Sequence, residues 1–113
     1  MTVPLYQAKA DFFRMFAHPV RIQVLELLQD GPMPVRDLLS EIGVESSNLS
    51  QQLAVLRRSG LVTATREGST VMYTLSGGYL AELMRAARRI ITELLACQGQ
   101  LPAELREPLT EPA

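Results

Sequence analysis

The sequence predicts a mainly α-helical domain that carries one small β-hairpin. Apolar residues recur at intervals of three and four in five segments, which is the spacing of residues on one face of a helix. Between the last two of these segments, two β-branched stretches alternate around a short turn that contains glycine, which is the pattern of a hairpin. The chain has 113 residues, a length that is typical of one domain.

Two helices are predicted at the amino end of the chain. The first ends before His18-Pro19, and the second begins at Pro19, because proline suits the first turn of a helix, and stops at Gly31-Pro32. We expect His18 to be a structural residue that donates a hydrogen bond near the start of the second helix. The apolar face of the first helix is formed by Leu5, Ala8, Phe12 and Phe16, and that of the second by Ile22, Val24, Leu25 and Leu28.

The third and fourth predicted helices are joined by a short turn. The third runs from about Pro34 to Ile42 and ends at Gly43, and the fourth covers residues 46–59. Two helices joined in this way form a helix-turn-helix, in which the second helix enters the major groove of DNA. The fourth helix starts with uncharged polar residues that suit base edges and phosphate oxygens. These candidate DNA-binding residues are Ser46, Ser47, Asn48, Ser50, Gln51 and Gln52, and the opposite, buried face consists of Leu49, Leu53 and Leu56.

A β-hairpin is predicted directly after the fourth helix. Gly60 supplies the left-handed stop of the helix, and strands at residues 61–66 and 70–75 are joined through Glu67-Gly68-Ser69. The tip combines a cation with two small residues, so it can approach a phosphate backbone or a minor groove. Its candidate DNA-binding residues are Arg66, Gly68 and Ser69.

A long last helix is predicted from about Tyr79 to Gln98. Its apolar residues alternate by three and four, as in the seam of a coiled coil, and a small domain cannot readily cover them alone. The helix therefore needs a partner. A domain at residues 1–98 is followed by a tail at residues 99–113, which contains prolines and acidic residues and is predicted to be frayed. The seam consists of Leu80, Leu83, Ala87, Ile90, Leu94 and Cys97.

The charged residues are segregated along the chain, although the formal net charge is only −1. Residues 46–92 carry a net charge of +4, and every basic group in that segment is an arginine. The guanidinium group of arginine forks onto phosphates. We therefore predict phosphate contacts from Arg57, Arg58 and Arg66. We predict a solvated position for Arg85, Arg88 and Arg89, and the alternative for these three is binding of an anionic effector or phosphate.

The sequence predicts a cytoplasmic protein without membrane contact. No apolar run approaches the ~20 residues that span a bilayer, and the amino end lacks the basic start and apolar stretch of a signal peptide. Cys97 is the single cysteine, which excludes an intrachain disulfide and agrees with a reducing compartment. We expect Cys97 to pack as a small buried hydrophobe. Redox sensing by its thiol is the alternative.

Three stretches resemble one family of bacterial regulators. The family's second helix is similar to F-A-H-P-V-R-I-Q-V-L-E-L-L (Phe16 to Leu28), its reading helix to S-S-N-L-S-Q-Q-L-A-V-L-R-R-S-G-L-V (Ser46 to Val62), and its wing to R-E-G-S-T-V-M-Y-T-L (Arg66 to Leu75). Together, over about residues 5–98, they resemble the arsenic-repressor (ArsR/SmtB) family of transcription regulators. The sequence departs from the family at Gln52, where a histidine is usual.

The resemblance implies a winged helix-turn-helix with the element order ααααββα. It also implies a homodimer that pairs through the first and last helices, represses an operon, and releases DNA when a metal or another effector binds. With the seam of the last helix, the implied dimer contacts are Leu5, Phe12, Leu80, Leu83, Ala87, Ile90, Leu94 and Cys97.

A metal effector is not predicted for this chain. Metal sites of the family use cysteine pairs in the third helix, or Asp, His and Glu ligands in the last helix. Here the third helix reads V-R-D-L-L-S-E, and the last helix has arginines where ligands are needed. Glu82 and Glu93 lie eleven residues apart on one helix, too far to close a compact site within one chain. We expect no metal, no cofactor and an effector of another kind, which the sequence does not identify.

Other classes of function fit the sequence less well. An enzyme is excluded, since the chain has no glycine-rich phosphate loop and its one histidine and one cysteine are far apart. A winged-helix protein-interaction module is one alternative, but Ser, Asn and Gln at the start of the fourth helix, together with nearby arginines, are more typical of a DNA-binding surface. A constitutive DNA binder without an effector, or a nucleoid-type binder without sequence preference, is a further alternative. The sequence best predicts a repressor that binds double-stranded DNA as a homodimer on an imperfect palindrome.

Overall fold

The computed structural model describes residues 2–99. Residues up to Ala81 form one compact unit, and the greater part of the last helix, from Glu82, belongs to a second. Apart from Gly99, the predicted tail lies outside the described residues. The elements are α1 (Leu5–Arg14), α2 (Pro19–Leu27), a 3₁₀ turn (Leu28–Asp30), β1 (Met33–Pro34), α3 (Val35–Ile42), α4 (Ser46–Arg58), β2 (Val62–Glu67), β3 (Thr70–Leu75) and α5 (Gly78–Cys97).

The five predicted helices and the hairpin are confirmed, but the sheet also contains a strand, β1, that the sequence does not predict. This strand pairs antiparallel with β3, with Met33 opposite Tyr73 and Pro34 opposite Met72. The strand order is β1-β3-β2, and the element order becomes ααβααββα. Two residues are too few to show alternation in a sequence. Pro34 lacks an N–H group, which suits it to the edge of a sheet.

The hairpin turn is one residue shorter than predicted. Glu67 lies opposite Thr70, so Glu67 belongs to β2 and the loop consists of Gly68 and Ser69. Two-residue hairpin loops favour backbone conformations with positive φ, because their twist then matches that of the strands. Gly68 has a φ of 66°, which a residue without a Cβ adopts at little cost.

His18 begins α2, but as a hydrogen-bond acceptor. Its Nδ1 accepts a hydrogen bond from the backbone N–H of Val20 at 3.2 Å. The prediction of a donating His18 is therefore wrong, because the first N–H groups of a helix lack partners and need acceptors. The residue before a proline favours an extended backbone, and His18 has φ −137° and ψ 122°. This conformation places the imidazole over the start of the helix.

The core of the first unit is built from aliphatic side chains of α2, α3 and α4. Both α3 and α4 pack against α2. The sequence predicts the inner face of α4 correctly, since its three leucines are all buried. The largest fully buried side chains are Val24, Leu25, Leu38, Leu49, Leu53 and Leu56. The position of these leucines determines which face of α4 points outward.

The helix α1 contributes no buried residue. The rings of Phe12 and Phe16 meet edge to face, with centroids 5.0 Å apart. On the polar side, Arg14 and Gln7 donate hydrogen bonds to Asp11. The bonds from Arg14 and from Gln7 hold the pKa of Asp11 below its ordinary value. Among the described helices, α1 included, none is long and apolar enough to cross a membrane.

Candidate nucleic-acid interface

The connection between α3 and α4 is short and closed by backbone hydrogen bonds. Gly43 has a φ of 77°, and its N–H donates to the carbonyl oxygen of Leu39 at 2.9 Å. A left-handed residue of this kind ends a helix and redirects the chain. Two residues later, the carbonyl oxygen of Glu45 accepts the N–H of Leu49 at 3.1 Å, which starts α4. The helix-turn-helix predicted from the sequence is thus formed by α3 and α4.

The polar start of α4 divides into an exposed row and a half-buried flank. Ser46, Ser47, Ser50 and Gln51 are exposed, whereas Asn48 and Gln52 are half-buried. Successive residues are rotated by about 100° around a helix axis. Gln51 therefore lies almost opposite the buried Leu49, Leu53 and Leu56, with Ser47 one turn before it. The positions of Asn48 and Gln52 are rotated toward the core.

Asn48 and Gln52 are joined to each other. The Nε2 group of Gln52 donates a hydrogen bond to Oδ1 of Asn48 at 3.2 Å. The sequence alone predicts both residues as members of one polar face and does not predict this bond. The spacing of four residues between Asn48 and Gln52 could have predicted this hydrogen bond, because amide side chains one helical turn apart are neighbours on a helix surface.

The carboxyl end of α4 leads directly into the hairpin. The N–H of Gly60 donates to the carbonyl oxygen of Arg57 at 3.0 Å, and the N–H of Leu61 donates to that of Leu56, also at 3.0 Å. Together with the φ of 82° at Gly60, these two bonds form a Schellman motif. Leu56 and Leu61 are both buried, which supplies the apolar contact of that motif. The predicted left-handed stop at Gly60 is confirmed.

The arginines and the hairpin tip predicted to bind DNA are all at the surface. Arg57, Arg58, Arg66, Gly68 and Ser69 are exposed. Within residues 2–99, ion pairs are formed by Arg14 with Asp11 and by Arg36 with Asp37, and by none of the three arginines of α4 and β2. Their guanidinium groups are therefore available to phosphate oxygens.

Ser76 also belongs to this region, although the sequence does not predict it. Its backbone N–H donates to the carbonyl oxygen of Leu61 at 3.0 Å. This bond holds the open end of the hairpin beside the start of β2. No pattern marks Ser76 in the sequence, because a serine next to two glycines is also typical of an unstructured loop.

The residues predicted at a dimer interface are partly or largely exposed in the single chain. Leu5 is 69% exposed, Ile90 55% and Leu94 57%, and Phe12 is also exposed. Leu80, Leu83 and Ala87 are half-buried. Cys97 is exposed, so the expectation that it is buried is wrong for the single chain.

Two of the three arginines of α5, Arg85 and Arg89, lie beside carboxylates on one face of that helix. Glu82, Arg85, Arg89 and Glu93 border a shallow groove of about 400 Å³, together with Ala86 and Ile90. The sequence predicts no metal site in this helix. Among residues 2–99, no group of three or more His, Cys, Asp or Glu side chains is arranged to hold a metal ion.

Comparisons with known proteins match the region that contains this surface. The model of the family described as bacterial regulatory protein, arsR family, matches residues 18–64, which extend from the first residue before α2 into β2. A protein from Mycobacterium tuberculosis H37Rv, named uncharacterized HTH-type transcriptional regulator Rv0081, is 46% identical over 104 residues, which cover 91% of each chain. The biofilm growth-associated repressor of Xylella fastidiosa 9a5c is 36% identical over 68% of each chain.

Solved structures resemble the fold as a whole. The crystal structure of M. tuberculosis Rv0081 has a TM-score of 0.79 and 47% identity, and the match covers 86% of this chain and 98% of that one. The solution structure of the homodimeric winged helix-turn-helix DNA-binding domain of Mb0332 from Mycobacterium bovis has a TM-score of 0.73 and 29% identity, covering 82% and 86% of the two chains. The winged helix-turn-helix architecture is shared by all of them.

Proposed function

The chain belongs to the arsR family of bacterial regulatory proteins, and we propose that it acts as a homodimeric repressor on an imperfectly palindromic operator. It is a DNA-binding transcriptional regulator and not an enzyme. The observation that carries the proposal is the orientation of α4: its leucines are buried, so its uncharged polar start faces outward.

Base reading is assigned first to the exposed row of α4. Ser47 and Gln51 lie opposite the buried leucines, where a helix in a major groove meets the base edges. Both side chains are short or flexible and carry a donor and an acceptor. Ser46 and Ser50 flank this row and are exposed as well. Each good base contact contributes about 1–3 kcal/mol of discrimination, so a few such contacts suffice for a specific operator.

Phosphate contacts are assigned to arginines at the end of α4 and on the hairpin. Arg57 and Arg58 are exposed in the last turn of α4, and Arg66 is exposed on β2 near the tip. Contacts of this type fix the position of a protein on DNA without reading its sequence. The small Gly68 and Ser69 let the tip approach the DNA backbone closely.

A homodimer is supported by the exposed apolar faces of α1 and α5. Contact with a second copy would remove the exposed parts of Leu5, Ile90 and Leu94 from water. Full burial of an exposed side chain of this size contributes about 1.5–3 kcal/mol, and the part still exposed in the single chain is 69% for Leu5, 55% for Ile90 and 57% for Leu94. A two-fold axis also gives two reading helices, whose half-sites lie about 34–36 Å apart. The homodimeric Mb0332 domain is a relative of similar fold. Repression is supported by the related Xylella repressor.

We further propose that an effector other than a metal ion controls DNA binding. Along α5, the two carboxylates that border the groove, Glu82 and Glu93, are separated by Arg85 and Arg89 rather than grouped as a set of ligands. Metal ions that prefer nitrogen and sulfur need several imidazole or thiolate ligands close together. The chain has one histidine and one cysteine.

The proposal is tested by selecting the fragments of genomic DNA that the protein binds and footprinting them, followed by affinity measurements on the protected site and on random DNA. We expect tight, salt-dependent binding to the protected site and weaker binding to random DNA. Gln51→Ala should reduce the difference between the two. The control is Gln23→Ala, which removes an exposed glutamine of α2. Equal affinity of the wild type for both DNAs, or no salt-dependent binding at all, would contradict the proposal.

A further inference from the structure

The hydrogen bond between Gln52 and Asn48 limits what each amide can offer to DNA. A carboxamide has two N–H donors and one oxygen acceptor with two lone pairs. Gln52 uses one N–H in its bond to Oδ1 of Asn48. It keeps its second N–H and its oxygen. The side-chain oxygen of Asn48, and not its amide nitrogen, faces Gln52. One lone pair of this oxygen is therefore used in the bond.

The groups that Gln52 retains match one base. In the major groove, adenine offers N7 as an acceptor and the N6 amino group as a donor, and a glutamine amide can bind both at once. This contact needs the amide plane of the glutamine in one orientation. A free glutamine side chain rotates about three bonds, and ordering it on binding reduces affinity.

We propose that Asn48 is a positioning residue that holds the amide of Gln52 ready to read an adenine of the operator. Gln52 makes the base contact, and Asn48 acts through Gln52 rather than on a base of its own. This inference rests on the proposed function of α4 as a reading helix. It assigns the half-buried flank of α4 a specific role, in addition to that of the exposed row with Ser47 and Gln51.

Two observations favour this role over simple stabilisation of the helix. An amide pair one turn apart on a helix surface stabilises the helix only slightly, so the bond contributes little to folding. Both side chains are also half-buried rather than exposed, which restricts the rotamers that each can adopt. The bond therefore joins two side chains that are already confined, and the orientation of Gln52 is determined before DNA arrives.

The test measures affinity for the footprinted operator and for variants in which each A·T pair of a half-site is replaced in turn. Gln52→Ala should lose the preference for adenine at one position, by about 5-fold or more. Asn48→Ala, which retains Gln52, should lose a large part of the preference at the same position. The double variant should lose no more of the adenine preference than Gln52→Ala does, because the effects of two substitutions that remove one shared contact do not add.

Asn48→Asp separates positioning from direct contact. The aspartate retains an oxygen that accepts the N–H of Gln52, but it adds a negative charge close to DNA phosphates. We expect weaker binding to the operator and to every variant by the same factor, with the adenine preference preserved. Circular dichroism and thermal unfolding of each variant show whether α4 is still folded, and Ser47→Ala serves as a variant that changes a different base position.

Three results would overturn the inference while the proposed function stands. The first is an Asn48→Ala variant that keeps the adenine preference of the wild type. The second is an Asn48→Ala variant that loses its preference at a different base pair from the one affected by Gln52→Ala. The third is an additive loss in the double variant. A wild type that prefers no operator sequence, with Ser47→Ala and Gln51→Ala equally without effect, would instead contradict the proposed function and the inference together.

Discussion

The hydroxyl group of Ser76 donates a hydrogen bond to the carbonyl oxygen of Gly60, at a distance of 2.5 Å. Gly60 directly follows the end of α4, and Ser76 directly follows β3. The backbone N–H of Ser76 also donates to Leu61. Two bonds from one residue thus join the far end of the hairpin to the end of the reading helix. The position of the hairpin tip relative to α4 depends on this junction.

Ser76→Ala removes the side-chain bond and retains the backbone bond. We expect a loss of about 1 kcal/mol in the free energy of unfolding, the usual net contribution of one hydrogen bond. We also expect weaker DNA binding, because the tip with Arg66 is held less firmly. Urea unfolding and affinity measurements check both. Ser40→Ala, at an exposed serine of α3, is the matched control, and a Ser76→Ala protein with the stability and affinity of that control would refute the junction.

Gly60→Ala tests the left-handed end of α4. A Cβ at this position meets no atom within 4 Å, but the φ of 82° disfavours any residue with a side chain. We expect a loss of about 1–2 kcal/mol in the free energy of unfolding. Gly77→Ala is the control, since Gly77 also has open space and its φ lies outside the left-handed region. Unfolding is compared at one protein concentration, because the stability of a dimer depends on concentration. Equal stability of the two variants would argue against strain at Gly60.

The helices and the hairpin are predictable because their signals are local. The spacing of Leu49, Leu53 and Leu56 determines the inner face of α4, and glycine marks the ends of α3 and α4 by a conformation that other residues avoid. The strand β1 is not predictable in this way. Met33 and Pro34 become a strand only because β3 lies beside them, and a pairing between residues so far apart leaves no periodic signal.

The candidate interface is predictable in its position but not in its internal contacts. The polar start of α4 is visible in the sequence, whereas the bond between Asn48 and Gln52 depends on the rotamers that the surrounding structure permits. His18 shows the same limit. Its structural role follows from the proline after it. Which ring nitrogen takes part, and whether it accepts or donates, depends on the N–H of Val20, which has no partner within the helix and donates to Nδ1 of His18.

Arg58 and Arg66 are expected to contact phosphates. Each phosphate contact that is lost reduces the slope of log affinity against log salt by about 0.9, so an alanine variant of a homodimer should lose about two units. Its affinity for operator and random DNA should fall by similar factors. Arg14→Ala, on α1, is the control: it also removes one positive charge per chain, but at a position with no proposed phosphate contact, so its salt slope should equal that of the wild type. A wild-type salt slope in both Arg58→Ala and Arg66→Ala would mean that the end of α4 and the hairpin do not lie on the DNA backbone.

Ile90→Glu and Leu94→Glu are expected to dissociate the dimer. Both side chains are more than half exposed in the single chain, and a carboxylate buried there on a second copy would lack a partner. Sedimentation at micromolar concentration should show a dimer for the wild type and a monomer for each variant. Tyr79→Glu, at an exposed position outside the seam, should remain dimeric. A folded wild-type monomer under these conditions is the result that would defeat the dimer proposal.

Cys97 is expected not to sense oxidants, although its thiol is exposed in the single chain. One cysteine per chain cannot form an intrachain disulfide, and a bond between two copies needs Cα atoms within about 7 Å of each other. We expect diamide to leave operator affinity unchanged in the wild type and in Cys97→Ser. Non-reducing electrophoresis of the same samples shows whether a cross-linked dimer forms. If diamide lowers the operator affinity of the wild type and not that of Cys97→Ser, Cys97 is the sensor. Oxidation of its thiol at the end of α5 would then change the spacing of the reading helices.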